Sequence, residues 1–506
     1  MTPSTKPLPY TANPILLIIN DLWLFGQITF TWPITAGLPS IIWPPTPTRS
    51  GSLDELAFTA ANAWAIALHA FLGLAQFVFL VSLVPLAFTP LSVLYFSYIV
   101  AFVLGNQWFT ILLNGWRKHG LLESNPKCIE GKAVHEHEKW VFINGVAVGS
   151  HWLQSNLDRL AMTFRRPVYG IHNQTRGIIF DVLECIIQRD LSYPTLDIRQ
   201  AYSELVKILS DSDVHKLVLI LHSQGAIEGG MVLDWLYTTV AAEQLQKLEI
   251  YTFGNAANHW NAPVISTLGD GGERGENGDN AKDRIVKHIE HYANTRDYVS
   301  RFGILHFRPD QAPASPPVSR TATSTSPGPA SSSSTTTLVN GPIKSISVSS
   351  SGTRKRLKLT TSDPSTSAPA LAAPSPKTPI ERLNPSAQDD NRFVGRLFKR
   401  LGSGHQFNQH YLDNMFEMEG VDPHDLSKGY VKGGNPYMDM PVDMEVFDEW
   451  DTVQYATADV HGSVGNGDRP GSSIGQKERV KSVKELSRLW GYRNGMNPDE
   501  EGSKKQ

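Results

Sequence analysis

The stretch Leu217-Val218-Leu219-Ile220-Leu221-His222-Ser223-Gln224-Gly225-Ala226 decides how the rest of the chain is read. Five consecutive large apolar residues suit a strand buried on both faces, which is the mark of a central strand in a parallel sheet. Gly225 and Ala226 follow at once, and Met231, Val232, Trp235 and Leu236 then recur at helical spacing. Strand, turn and helix together put Ser223 on a sharp bend. Small flanking residues relieve the crowding of such a bend, and a serine on it presents its hydroxyl away from the backbone. Leu221 departs from this pattern, because the residue two before such a serine is usually glycine. The bend then needs a different packing on that side.

Outward from this element, short apolar β-rich runs alternate with amphipathic segments. The expected strands are Trp140 to Ile143, Val168 to Ile171, Leu217 to Leu221, Leu248 to Phe253, Ile289 to Ala293 and Phe393 to Phe398. Ile198 to Leu209 carries apolar residues at 198, 201, 202, 205, 208 and 209 and reads as a helix. Alternation of this kind predicts an α/β class with a mostly parallel sheet covered by helices on both faces. The folded unit is expected over residues 138–308, after a connector at 119–137, and again over 391–447. Residues 309–390, rich in Ser, Thr and Pro, bury too little apolar surface to offset their ordering entropy, so a disordered insertion is expected. Asp270 to Asp283 reads as a smaller surface loop, and Arg354-Lys355-Arg356 as a solvated cluster. Residues 448–506 read as a polar tail with one amphipathic helix at Val480 to Leu489.

From Leu56 to Trp116 the sequence has no Asp, Glu, Lys or Arg. A membrane span takes about 20 apolar residues, and Pro85 and Pro90 divide the stretch into two such lengths, about 63–86 and 90–113. A transmembrane hairpin is expected over 56–116, with His69 and Gln76 inside the first span and His69 serving a hydrogen bond between helices. Residues 1–55 read as an N-terminal segment that is interfacial, because Asp21 interrupts Ile15 to Phe30. Arg117 and Lys118 follow the second span, which places what comes next on the cytosolic side. With 506 residues the chain exceeds one core, which stops growing at roughly 250 to 300 residues. Its 46 Lys plus Arg nearly balance 49 Asp plus Glu, so no field favours nucleic acid as a partner. Cys128 and Cys185 form neither a zinc spacing nor a disulfide framework.

These features resemble the α/β-hydrolase superfamily, in particular the class 3 lipases and putative serine esterases, and fungal membrane-associated hydrolase-like proteins. The resemblance rests on Ile143-Asn144-Gly145 with His151-Trp152, on His222-Ser223-Gln224-Gly225, on Tyr251-Thr252-Phe253-Gly254-Asn255, and on Asp297-Tyr298-Val299. It covers about residues 138–308 and 393–416. The resemblance implies a chain order of nucleophile, acid and base. Ser223 is then the nucleophile and Asp297 the acid, ahead of Glu290, which lies within a strand. His405, in the loop Gly402-Ser403-Gly404-His405 after the last strand, is the expected base, with His410 as the alternate and His306 as a third option. The oxyanion donors are expected at Gly145, Val146 and Gln224. Such chemistry needs neither metal nor cofactor, and its substrate is expected to be a membrane lipid or another acyl ester. The alternatives are a non-catalytic scaffold of the same fold and an acyltransferase using the same three residues.

Overall fold

The computed structural model describes residues 13–30, 37–88, 92–116, 121–133, 135–263, 284–308, 392–422, 425–442, 452–453 and 481–498. Helix α1 (Pro14–Thr29) precedes two long apolar helices, α2 (Ala60–Ala87) and α3 (Ser92–Asn114). An alternating body follows: β1 (Leu122–Glu123), β2 (Glu138–Ile143), α4 (Ser150–Phe164), β3 (Val168–Ile171), α5 (Ile178–Leu191), α6 (Leu196–Ser210) and β4 (Lys216–His222). It continues with α7 (Gln224–Thr239), α8 (Ala242–Leu245), β5 (Leu248–Phe253), β6 (His288–Asn294), α9 (Tyr298–Phe302), α10 (Ile304–Phe307) and β7 (Arg396–Arg400).

The sheet order is β1-β3-β2-β4-β5-β6-β7, with Thr452–Val453 on the outer side of β7. Only β1 runs antiparallel to its neighbour. The molecule is of the α/β class. Period-two alternation divides the core: Val218 and Ile220 of β4 point to one face and Leu217, Leu219 and Leu221 to the other. The first face is covered by Leu153, Leu157 and Leu160 of α4 with Phe407 and Leu412, and the second by α6 and α7. Each fully buried leucine contributes about 1.5–3 kcal/mol through removal from water, so the run 217–221 anchors both layers at once.

Several expectations need correction. The last body strand is Arg396–Arg400, not Phe393 to Phe398, because Gly395 at φ +119° breaks the extended run, while Phe393 makes a single bridge to Trp260. The connector 119–137 contributes β1 to the sheet. The segment after 448 is more than a polar tail: Val483, Leu489, Trp490 and Tyr492 are buried in the core, and Arg488 binds Glu249 at 2.8 Å. In place of one helix at 480–489 there is a four-residue helix, Val483–Leu486, with a Ser482–Glu485 capping box, and then a 3-10 turn from Leu489 to Gly495.

By length and composition, α2 and α3 are both able to cross a membrane. Gln76 bonds across to Asn106 of α3, at 2.9 Å, whereas His69 stacks on Trp152 of α4. The expected insertion, the loop 270–283, the cluster 354–356 and the basic pair 117–118 lie outside the described residues.

Candidate active site

Ser223 joins β4 to α7 at φ +58° and ψ −122°, a conformation that a non-glycine residue rarely adopts. The bend is held from both sides. Ser223 N–H donates to the Phe253 carbonyl at 3.0 Å, and its own carbonyl accepts from Ala226 N–H at 3.1 Å. Close approach is bought with missing side chains: a Cβ on Gly145 would stand 2.9 Å from Ser223 Oγ, and one on Gly225 2.5 Å from the Ile143 carbonyl oxygen. The departure at Leu221 is compensated one helical turn on. Gly229 faces it, and a Cβ there would lie 2.4 Å from Leu221 Cδ1. The bulk on the strand is matched by an absence on the helix.

Asp297 follows β6 and is fully buried. Its Oδ1 accepts Val299 N–H at 2.9 Å and so caps α9. Its Oδ2 accepts the Tyr411 hydroxyl at 2.6 Å, the Ser300 hydroxyl at 2.8 Å and His405 Nδ1 at 2.9 Å. Burial pushes this carboxyl up, but the His405 charge and the bonds from His405, Tyr411 and Ser300 outweigh it and hold Asp297 below the usual carboxylate range. A carboxylate only accepts, so Nδ1 presents its N–H to Asp297 and Nε2 is the ring nitrogen left over. That nitrogen is buried and makes no hydrogen bond to Ser223 or to any other described residue.

His405 follows β7 in the loop predicted for it. Its N–H donates to the Ile41 carbonyl at 3.1 Å, and Gly404 N–H to the Ser40 carbonyl at 3.0 Å. His222, the residue before Ser223, donates from Nε2 to the His405 carbonyl at 2.8 Å and stacks on its ring at 4.6 Å. Burial pushes His222 down to about 3, so it stays neutral. Ser223, Asp297 and His405 thus all follow the carboxyl ends of parallel strands, β4, β6 and β7. Gly254, after β5, makes room for them: it sits at φ +57°, and a Cβ there would fall 2.7 Å from His405 Cε1.

His410 has a different place. Gln406 N–H donates to its Nδ1 at 2.9 Å, and its Nε2 donates to the Pro44 carbonyl at 2.7 Å. With both nitrogens engaged it is a loop anchor, not a base. His306 lines a surface depression with Leu24, Gln27 and Ile28. Glu290 accepts the Tyr292 hydroxyl and Arg488 N–H within the core.

Of the expected oxyanion groups, Gly145 and Gln224 adjoin Ser223. Gln224 is the first residue of α7, where a helix leaves its amides without intrahelical acceptors. Gly145 lies against Ser223, and the loop carrying Val146 is fixed at both ends. Asn144 exchanges two bonds with the backbone of Asn173, at 2.8 and 3.0 Å, and Ala147 N–H donates to Asp181 Oδ2 at 2.9 Å. Behind it, the Gln224 side chain bonds Asn173 and Gln188, and Gln188 reaches Glu228. Burial, with Asp197 and Glu184 nearby, pushes the Glu228 carboxyl far up.

Sequence reasoning missed His222 as a support, Ser300 and Tyr411 as Asp297 donors, and the segment 40–55 as a clamp on the His405 loop. His222 stood next to Ser223, Tyr411 next to His410, and Ser300 next to the Asp297-Tyr298-Val299 motif. Tyr411 meets Asp297, and residues 40–41 meet the His405 loop, across more than 100 positions. Among the described residues no group of three or more His, Cys, Asp or Glu side chains is disposed to hold a metal ion. Compared with family models, curated proteins and solved structures, the chain matches none.

Proposed function

We propose that this chain is a membrane-attached serine hydrolase of the α/β-hydrolase fold that cleaves carboxylic esters of acyl lipids. The observation that carries the reading is the pairing of a strained serine bend with an Asp297-anchored His405 whose Nε2 is uncommitted. A hydroxyl needs such a base to become nucleophilic, and the base needs a third group to fix its tautomer. Catalytic hydrogen bonds are often long in an empty site and tighten around substrate.

In the reaction, Ser223 Oγ gives its proton to His405 Nε2 and bonds to the ester carbonyl carbon. The Gln224 and Val146 amides receive the oxyanion. His405 then protonates the departing alcohol oxygen, leaving an acyl group on Ser223. Water, deprotonated by the same nitrogen, attacks the acyl carbon, and that proton passes to Ser223 Oγ as the acyl–oxygen bond breaks and the acid leaves. Asp297 keeps its charge throughout and balances the imidazolium.

The apolar helices α2 and α3 support attachment to a bilayer through two passes, and the sequence charge bias after α3 supports a cytosolic face for the body. Labelling by a fluorophosphonate probe in membranes tests the reading. Wild-type protein is expected to label, and Ser223→Ala to lose the label with its thermal unfolding unchanged. Undiminished labelling of Ser223→Ala would remove Ser223 from the chemistry, and no labelling of folded wild type would favour a scaffold.

A further inference from the structure

Helix α5 is inside out. Its polar residues Asp181, Glu184, Gln188, Arg189 and Asp190 are all buried, whereas Ile178, Leu183, Ile187 and Leu191 are between 39% and 46% exposed. In water a surface helix shows the reverse polarity. The next helix, α6, does so: it buries Ile198, Ala201, Leu205 and Leu209 and turns Arg199 and Lys207 outward. Helix α1 repeats the inversion. Its one charged side chain, Asp21, turns inward onto Arg189 of α5 at 2.8 Å, while Ile15, Ile19, Leu22 and Trp23 are more than half exposed. Arg176, beside the apolar face of α5, is paired with Glu184.

This face is continuous with α2 and α3. Gln76, fully buried on α2, donates to the Arg176 carbonyl and accepts Ile179 N–H at 3.2 Å, capping the start of α5. Asn106 of α3 also donates to that carbonyl, at 2.9 Å. Capping of this kind is what a backbone without access to water requires. Lengths make the same point independently. From Gln76 to the end of α2 at Ala87 there are 87 − 76 = 11 residues, about 17 Å of helix. From Ser92 to Asn106 on α3 there are 106 − 92 = 14, about 21 Å. Both fall short of the roughly 30 Å hydrocarbon core. If these helices cross, the part of α2 packed on the body must lie within the bilayer, and α5 lies there with it. At 14 residues, or about 21 Å, α5 is itself too short to cross.

We infer that α1 and α5 lie among the acyl chains of one leaflet, so that a lipid bilayer is the docking partner of this face and meets the body directly over the Ser223 site. The inward side of α5 is the roof of that site: Gln188 bonds Gln224, and Arg189 donates to the carbonyl of Ala256, whose N–H reaches the Ser223 carbonyl. Lipid on one side of a single helix and the serine on the other define a lateral route for a membrane-resident substrate.

The test uses full-length protein in nanodiscs containing a phospholipid with a photoreactive diazirine in its acyl chain. Peptides are mapped by mass spectrometry after illumination. Adducts are expected on α1 and α5 as well as on α2 and α3, with none on α6. In Leu183→Glu/Ile187→Glu the α5 adducts are expected to be lost while those on α2 persist. Adducts confined to α2 and α3 would overturn the inference. So would α5 free of lipid adducts in nanodiscs that hold two copies of the chain, which would make a second copy the occupant. The labelling needs no active serine, so its outcome stands apart from the fluorophosphonate result.

Discussion

His405 and His410 lie five residues apart, both buried, on one loop and the turn that follows it, and they have opposite hydrogen-bonding fates. The whole ring of His410 is consumed by backbone groups of Gln406 and Pro44. His405 spends Nδ1 on Asp297 and keeps Nε2 in reserve. The difference separates an imidazole that builds a loop from one that the loop presents. It comes from what each ring meets across the fold: a carboxylate below His405, and the turn at 44–45 beside His410.

The largest expected effect tests this contrast directly. His405→Ala should lower turnover of an ester substrate by about 10⁶-fold, the scale on which removal of the histidine of a catalytic triad is felt. His410→Ala should instead retain fluorophosphonate labelling and lose about 1–3 kcal/mol of stability, because a backbone donor and acceptor lose their partner. If His410→Ala abolished labelling and His405→Ala did not, the assignment would reverse. Tyr411→Phe sharpens the contrast on the acid side. It removes the 2.6 Å bond to Asp297 Oδ2, and steady-state kinetics should show kcat reduced about tenfold at unchanged KM, since a bond to a charged group is worth roughly 1.5–3 kcal/mol.

A separate effect lies on the His410 side. Ser50 donates to Asp413 Oδ1 and Arg159 pairs with it at 3.4 Å, tying this turn to the segment before α2. Burial, with Asp413 and Glu55 beside it, pushes Asp54 up to about 9 from 3.8. The native state therefore holds a proton that the unfolded chain releases, and stability falls as pH rises between these values. One proton sets a slope of at most about 1.4 kcal/mol per pH unit. Thermal unfolding from pH 6 to pH 9 should show this decline in the wild type and a flatter profile in Asp54→Asn. Parallel profiles would mean that Asp54 is ionised already.

The alternation that made the α/β class legible is local physics: apolar runs of five or six residues between amphipathic segments have few other solutions. The strand Val168–Ile171 and the strand Leu248–Phe253 were readable to the residue. The C-terminal segment was not, because Arg488, Trp490 and Tyr492 read as ordinary polar-tail residues until Glu249 and Glu290 stand next to them, about 200 positions away. Helix α5 was illegible for a related reason. Its periodicity marks two faces, but only its contacts with Gln224, Ala256 and Asp21 decide that the charged face is the inner one.

By itself, the sequence determined the strand, bend and small residues around Ser223 and the two long apolar helices. These depend on residue type and spacing within a few turns of chain. Tertiary structure alone decided which histidine faces Asp297, how Gly229 makes room for Leu221, and which side of α5 meets the surroundings. Each of those is a question of what lies across the fold, where hydrogen-bond reach and van der Waals volume, not periodicity, set the answer.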